Sequence, residues 1–269
     1  TSATESIEIP AFIGMTEEHK LNFLSEENLP AEKLAVQLVR SKDKDKIETV
    51  FNLLCKIGGQ SSIVFCNHRE SVERVSTLLK DKGVYNEYYH GAMEQQERDS
   101  ALCKFRNGST YVLVTTDLAA RGLDIPNIRY IIHYHLPHTE DMFVHRNGRT
   151  ARMDASGTVV LILSEEETVP KYIETDVVDL TLLDKYELPD KPKWSTLFIA
   201  AGKKDKVNKI DIVGFLSQKG QLKKEDIGLI DVKDFFSFVA IKKIKVGATL
   251  QLIKDQKIKN KKVKIDIAK

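Results

Sequence analysis

Between residues 33 and 164 short apolar runs alternate with stretches of helical period, and this alternation restricts the fold more than any other feature of the chain. Residues 34–39, 62–65, 111–114, 130–134 and 158–163 are nearly continuous apolar runs of strand length, and 86–89, with two tyrosines, reads as a further strand. Such runs suit strands buried on both faces. Between them, 43–57, 69–82, 95–106 and 139–149 carry apolar residues at three- and four-residue spacing, the pattern of a helix with one buried face. The alternation predicts an α/β fold, a parallel sheet with helices on both faces. Functional groups are then expected where the strands end. Asn67-His68-Arg69, His90-Gly91, Thr115-Thr116-Asp117 and His135-Leu136-Pro137 all fall at such ends.

Length and charge point to a second domain. A chain of 269 residues suggests two. The net charge of +2 conceals an uneven distribution: residues 200–269 hold 18 lysines against 8 acids, a net of +10, which leaves −8 for the remainder. A small domain that basic suits a polyanion, although a merely soluble lysine-rich surface would look similar. Two prolines among charges mark 188–197 as a linker. Beyond it, a strand at 210–213, a helix at 214–219, strands at 227–232 and 235–241, a helix at 246–255 and a strand at 262–267 give a βαββαβ order. This is the ferredoxin-like arrangement of an RNA recognition motif.

Other classes are disfavoured. Apolar content of 42% and charged content of 30% describe an ordinary globular protein, with no apolar run of membrane-spanning length. Three widely spaced cysteines read as reduced thiols, consistent with a cytoplasmic protein. His133, His135 and His138 invite a metal reading. His138, however, lies beyond Pro137, and no acid or cysteine completes a tetrahedral set, so no metal is expected. The chain opens on Thr1 rather than methionine, which suggests a piece of something longer.

The run His145-Arg146-Asn147-Gly148-Arg149-Thr150-Ala151-Arg152 is the strongest chemical signal. Guanidinium is always charged and makes paired hydrogen bonds to phosphate oxygens. Thr139 followed by two acids predicts a helix start, which places His145 and Arg149 on one face, with Arg152 nearby if the helix continues. Alone, such a run is as easily a solvated patch at a helix end.

Its neighbours change that reading. Ser62 to Asn67 is similar to motif IV, and His90-Gly91 with Gln95-x-x-Arg98 to the QxxR motif, of the second RecA-like domain of DEAD-box RNA helicases. Val112 to Asp117, running into Ala120 to Asp124, resembles motif V, and the arginine-rich run resembles motif VI. Ser2-Ala3-Thr4 resembles motif III, at the end of a first helicase domain. The resemblance divides the chain into 1–24, the tail of the first domain and a linker; 25–187, a second RecA-like domain; 188–197, a linker; and 198–269, an RRM-like domain. It implies ATP with Mg²⁺ as cofactor. Arg149 and Arg152 would act as arginine fingers, His145 as a coupler to the first domain, and Gly122 and Asp124 as groups at the nucleotide. A finger of this kind contributes about 10³ to 10⁵ in rate in GTPases. Arg121 would contact this site or brace motif V against motif VI. Asn67, Arg69, Gly91, Arg98 and Thr116 would hold RNA phosphates and sugars. His68 stands where many members carry threonine.

The last 72 residues resemble the RNA-binding domain of the DEAD-box protein A subfamily, through Ala201 to Lys206, Asp226 to Asp231 and Phe236 to Ile241. This implies RNA binding through Lys203, Lys204, Lys206, Lys261 and Lys262, and a role on ribosomal RNA in large-subunit assembly. Phe236 and Phe238, two apart on one strand face, would stack on bases or simply lie in a buried face. The sequence contains no GxxxxGK[ST] phosphate loop and no Asp-Glu-Ala-Asp, so this chain by itself is expected not to hydrolyse ATP. A monomer that binds structured RNA and no membrane is the expectation. A superfamily 2 DNA helicase and a non-catalytic RNA-binding protein on a RecA-like scaffold are the alternatives.

Overall fold

A computed structural model describes residues 35–117, 125, 128–148 and 157–269. Residues 1–32 divide from 33–269 and lie outside the described part, as does the stretch resembling motif III. Strands β1 (Ala35–Arg40), β2 (Ser62–Phe65), β3 (Asn86–Tyr89), β4 (Val112–Thr115), β5 (Tyr130–His133), β6 (Thr158–Leu163) and β7 (Val177–Asp179) form one parallel sheet in the order β3-β4-β2-β5-β6-β1-β7. Strand alternation sorts their side chains into two cores. Ile63, Phe65, Leu113, Ile131, Val159 and Leu161 point to one face, and Val64, Val112, Val114, Ile132, Val160 and Ile162 to the other. Helices α1 (Ile47–Ile57) and α2 (Arg69–Asp81) cover the second set; α3 (Gln95–Arg106) and α4 (Glu140–Asn147) cover the first. The predicted α/β sheet with helices on both faces is what forms. Strand β7 was not expected: three partly exposed residues on the sheet edge beside β1 give no apolar run to read.

A second, antiparallel sheet follows, in the order β13-β8-β10-β9. It comprises β8 (Trp194–Ile199), α5 (Lys209–Gln218), β9 (Ile227–Val232), β10 (Ser237–Lys242), α6 (Val246–Ile253), a hairpin of β11 (Lys257–Ile258) and β12 (Lys261–Lys262), and β13 (Ile265–Ile267). The βαββαβ order holds, but its first two elements differ from the sequence reading. Residues 210–213 are helical, because Asn208 and Asp211 cap each other reciprocally, with Oδ1 of Asn208 accepting from the Asp211 N–H at 3.0 Å. Ile212, Phe215 and Leu216 then share the buried face of one helix. The first strand is instead β8, starting at Trp194, within the segment read as a linker; the prolines end at Pro192, and chain pairing begins two residues later.

The face of this second sheet away from α5 and α6 packs on α3. Phe238, 1% exposed, meets Cys103 of α3 and Ala268, flanked by Phe198 and Phe236. Thr196 Oγ1 accepts from Asn107 Nδ2 at 2.8 Å and lies 2.9 Å from Ser109 Oγ; Ser100 Oγ donates to the Lys269 carbonyl at 2.7 Å. Lys233 reaches Asp99 at 3.5 Å. The two sheets are joined by an apolar centre with hydrogen bonds around it.

Candidate functional site

The carboxyl ends of β2, β4 and β5 meet beneath α4. The period of α4 turns Phe143, Arg146 and Asn147 inward, so a guanidinium enters the protein interior, where Arg146 is 1% exposed. A buried charge is tolerated only when paired and fully hydrogen-bonded. Arg146 meets both conditions. Nε and Nη2 donate to the two carboxylate oxygens of Asp117 at 2.5 and 2.6 Å. Nη2 also donates to Asn67 Oδ1 at 2.9 Å, and Nη1 to the His135 carbonyl at 2.7 Å and to His133 Nδ1 at 3.3 Å. All five N–H donors of the guanidinium are thereby used. Its plane lies 5.0 Å from the Phe65 ring centroid.

The same contacts fix the state of His133. With Nδ1 accepting from Arg146, the ring proton sits on Nε2, which faces Asn147 Oδ1 at 3.1 Å. Burial, then the charge of Arg146, push the imidazole down to about 3, so it is neutral at ordinary pH. His135 is held at about 4 by burial and then by Lys46, and its Nδ1 accepts the Asn67 N–H at 3.2 Å. Lys46, 4% exposed, donates to the carbonyls of Tyr134 at 3.1 Å and Ile162 at 2.8 Å and pairs with Glu167. Burial draws this ammonium below its usual range, against the opposing pull of Glu167. Lys46 thus clamps the ends of β5 and β6, next to the peptide that Arg146 holds.

Sequence reasoning gave Lys46 no role, quoted Arg146 only as part of the arginine-rich run, and weighed His133 only as a metal ligand or a strand-end histidine, while it looked to His145, Arg149 and Arg152 for the chemistry. A signal existed: Arg146 follows Phe143 by three, on the apolar side, where a charge needs a buried partner.

The sequence-selected residues fall into three groups. Gly122, Asp124, Arg149 and Arg152 lie outside the described residues, as does Arg121. At the carboxyl edge, Gly91 and Arg69 are exposed, Arg69 pairs with Glu70 at 2.8 Å, and Thr116 is half-buried. Arg98 donates to Gln95 at 2.6 Å, and His145 is half-buried with an unpartnered Nδ1 among the described residues. The Asn67 side chain is turned inward: besides accepting from Arg146, its Nδ2 donates to the Leu136 carbonyl at 3.1 Å and faces His138 Nε2 at the same distance. Its amide therefore braces strand ends, as does its backbone N–H through His135.

In the second sheet, Lys203, Lys204 and Lys206 are exposed in the loop after β8. The β11–β12 hairpin adjoins them through Lys259, which donates to the Lys206 carbonyl at 2.5 Å, and through the ion pair of Lys261 with Asp205. Lys262 pairs with Asp255 at 2.7 Å. Phe238 corrects one expectation. Its ring is enclosed by Cys103, Phe198 and Phe236, so no face remains for a base; Phe236 is half-buried against the same rings, 5.4 Å from Phe238 and 5.8 Å from Phe198. Of the two readings of this aromatic pair, the buried strand face is the one that forms, because α3 supplies its cover. No cluster of three or more histidine, cysteine or acidic side chains suited to a metal ion occurs among the described residues.

Comparison with known proteins agrees with this geometry. Residues 45–154 match the helicase conserved C-terminal domain, and residues 196–267 the DbpA RNA binding domain. A crystal structure of the E. coli DEAD-box protein SrmB, bound to regulator of ribonuclease activity A, superposes with a TM-score of 0.52 at 31% identity, covering 59% of this chain and 99% of that one. The chain belongs to the DEAD-box helicase family. The ATP-dependent RNA helicase DbpA of E. coli is 32% identical over 241 residues, which is 87% of this chain and 52% of that protein. Its Bacillus subtilis counterpart is 28% identical over 259 residues, 86% of this chain and 54% of that protein. The chain therefore spans about half the length of the curated relatives it matches. As a DEAD-box chain, it carries the C-terminal helicase sheet with a second sheet docked on its α3.

Proposed function

We propose that this chain is the C-terminal part of an ATP-dependent RNA helicase that remodels structured RNA, with ribosomal RNA of the large subunit as its target. The observation that carries the proposal is the Arg146 lock. It joins the ends of three strands to the helix that leads into Arg149 and Arg152, so that segment starts from a fixed point. Asp117 is neutralised within the lock and does not oppose a phosphate at this edge. These features fit a nucleotide approached from the carboxyl edge, where Arg149, Arg152 and Asp124 would hold ATP with Mg²⁺ together with a first helicase domain. Bound ATP would supply the phosphoryl group whose developing charge the arginines neutralise.

RNA would meet two surfaces. The carboxyl edge offers Arg69, Gly91, Arg98 and Thr116 for backbone contact without sequence choice. The lysine-rich end formed by the loop after β8 and the β11–β12 hairpin would attract phosphates, since the sheet face beside it is covered by α3. The ribosomal target rests on the likeness to the DbpA RNA binding domain. A cytoplasmic monomer completes the proposal.

The test has two arms. This chain alone is expected to turn over no ATP, yet to bind a labelled fragment of large-subunit ribosomal RNA more tightly than bulk transfer RNA. Supplied with a first helicase domain bearing a phosphate loop, it is expected to give RNA-stimulated turnover. Hydrolysis by the chain alone, or equal binding of the two RNAs, would count against the proposal.

A further inference from the structure

One aromatic side chain has no structural task. Phe235, in the turn between β9 and β10, is 69% exposed, while its neighbours Phe236 and Phe238 pack inward. The turn is held against the loop after β8 by backbone bonds from Lys203 N–H to the Lys233 carbonyl at 2.9 Å and from Lys204 N–H to the Asp234 carbonyl at 2.8 Å. Gly202 permits this approach, because a Cβ there would run into the Lys233 carbonyl oxygen. Phe235 is therefore presented on a double-braced turn rather than on a loose loop.

The turn faces the start of α3. Between them lies a cavity of about 640 Å³ whose lining includes Gln95, Lys203, Phe235 and three acids, Glu94, Asp99 and Asp234, so the Lys203 side is where a phosphate would sit. Asp99 is 3.5 Å from Lys233, so its charge is balanced. Among the described residues neither Lys203 nor Lys204 makes an ion pair. The Gln95 side-chain oxygen accepts from Arg98 at 2.6 Å, so the amide nitrogen is the part of this lining residue left for a ligand. An exposed aromatic ring, the unpaired ammonium of Lys203 and a side-chain amide are parts that hold one unpaired nucleotide: a stacking plate, a phosphate contact and a group for a base edge.

We propose that this cavity is a subsite for a single unpaired nucleotide of RNA, with the base stacked on Phe235 and the phosphate on Lys203. The subsite would make the carboxyl edge of the helicase sheet and the lysine-rich end of the second sheet one continuous RNA track, with α3 as the shared element. This rests on the RNA-binding reading above.

The probes are a fluorescein-labelled 12-nucleotide oligoadenylate and the same strand with abasic sugars, each titrated with this chain by anisotropy over a range of salt. The natural chain is expected to prefer the strand with bases about tenfold, within the range that base–aromatic stacking supplies. F235A, an exposed change that leaves the packed rings alone, is expected to lose that preference, with the salt slope unchanged. F235W should restore it, and K203A should lower the slope for both strands. Full preference in F235A would overturn the subsite while leaving RNA binding intact. If the natural chain binds neither strand nor the ribosomal fragment, the broader reading falls as well.

Discussion

Arg146 and Asp117, 29 residues apart in sequence, form a two-point ion pair with bonds of 2.5 and 2.6 Å, the guanidinium 1% and the carboxylate 17% exposed. The pair ties α4 to the end of β4. Removing one partner leaves the other charge buried and unpaired, which typically costs about 3–5 kcal/mol. Arg146→Ala is expected to lower the urea midpoint of the helicase sheet accordingly. Arg146→Lys should recover only part of the loss, because an ammonium cannot serve Asp117, Asn67 and His135 together. A variant as stable as the natural chain would show that the pair contributes little.

Arg149→Ala acts on chemistry. In protein supplied with a first helicase domain, it is expected to reduce RNA-stimulated ATP turnover by about 10³ or more, the scale of an arginine finger. RNA affinity measured without nucleotide should be unchanged. Turnover near the natural rate would remove Arg149 from the proposed nucleotide site.

Acid sensitivity follows from His133. Its folded value of about 3 lies well below the ordinary imidazole value of 6.5, so below pH 6.5 the unfolded chain takes up a proton that the folded chain refuses. Stability contributed in this way is complete above pH 6.5 and is lost as pH falls toward 3. The slope is about 1.4 kcal/mol per pH unit for each such group. His135, at about 4, adds to it over the same upper range. Urea midpoints from pH 7 to 5 should fall more steeply in the natural chain than in His133→Asn. Parallel profiles would refute the assignment.

Thr196 and Phe238 hold the two sheets together. Thr196→Val leaves Asn107 Nδ2 with only the weak acceptor Cys103 Sγ at 3.7 Å, at a cost of about 1 kcal/mol. Phe238→Ala opens a cavity between α3 and β10 and is expected to cost about 3–5 kcal/mol. Both should shift the amide resonances of α3 although the substitutions lie in the second sheet. Unshifted α3 resonances would mean the sheets are not coupled through this face.

Gly202→Ala tests the brace beneath Phe235. The backbone angle there, φ −146°, suits any residue, so the expected loss of about 1–3 kcal/mol comes from the contacts with the Lys233 and Asp234 carbonyls. Thermal unfolding measures it, and an unchanged midpoint would show that the turn can shift freely.

The helicase sheet was legible because both faces of its inner strands are apolar: those runs and four helical stretches stand out where burial on both sides leaves no polar alternation, and β3 at the edge, Asn-Glu-Tyr-Tyr, was read from its place in the alternation. Strand β8 was not, since its neighbouring prolines signal an interruption and only pairing with β10 and β13 makes it a strand. Residues 210–213 misled for a related reason. Ile210, Ile212 and Val213 favour a strand locally, yet the Asn208–Asp211 cap and the apolar face of α5 outweigh that preference.

While its ordered motifs carried the resemblance to a helicase, the sequence by itself determined the layered α/β architecture and the charge that sets residues 200–269 apart. These follow from periodicity and composition, which are local. Tertiary structure decided which side chains of those elements are free. It buried Arg146 instead of displaying it, turned Asn67 inward, covered Phe238 with α3 and left Phe235 exposed. Exposure depends on what packs opposite: Asp117 lies 29 positions from Arg146, His135 68 from Asn67, and Cys103 of α3 far up the chain from Phe238, beyond the reach of any local pattern.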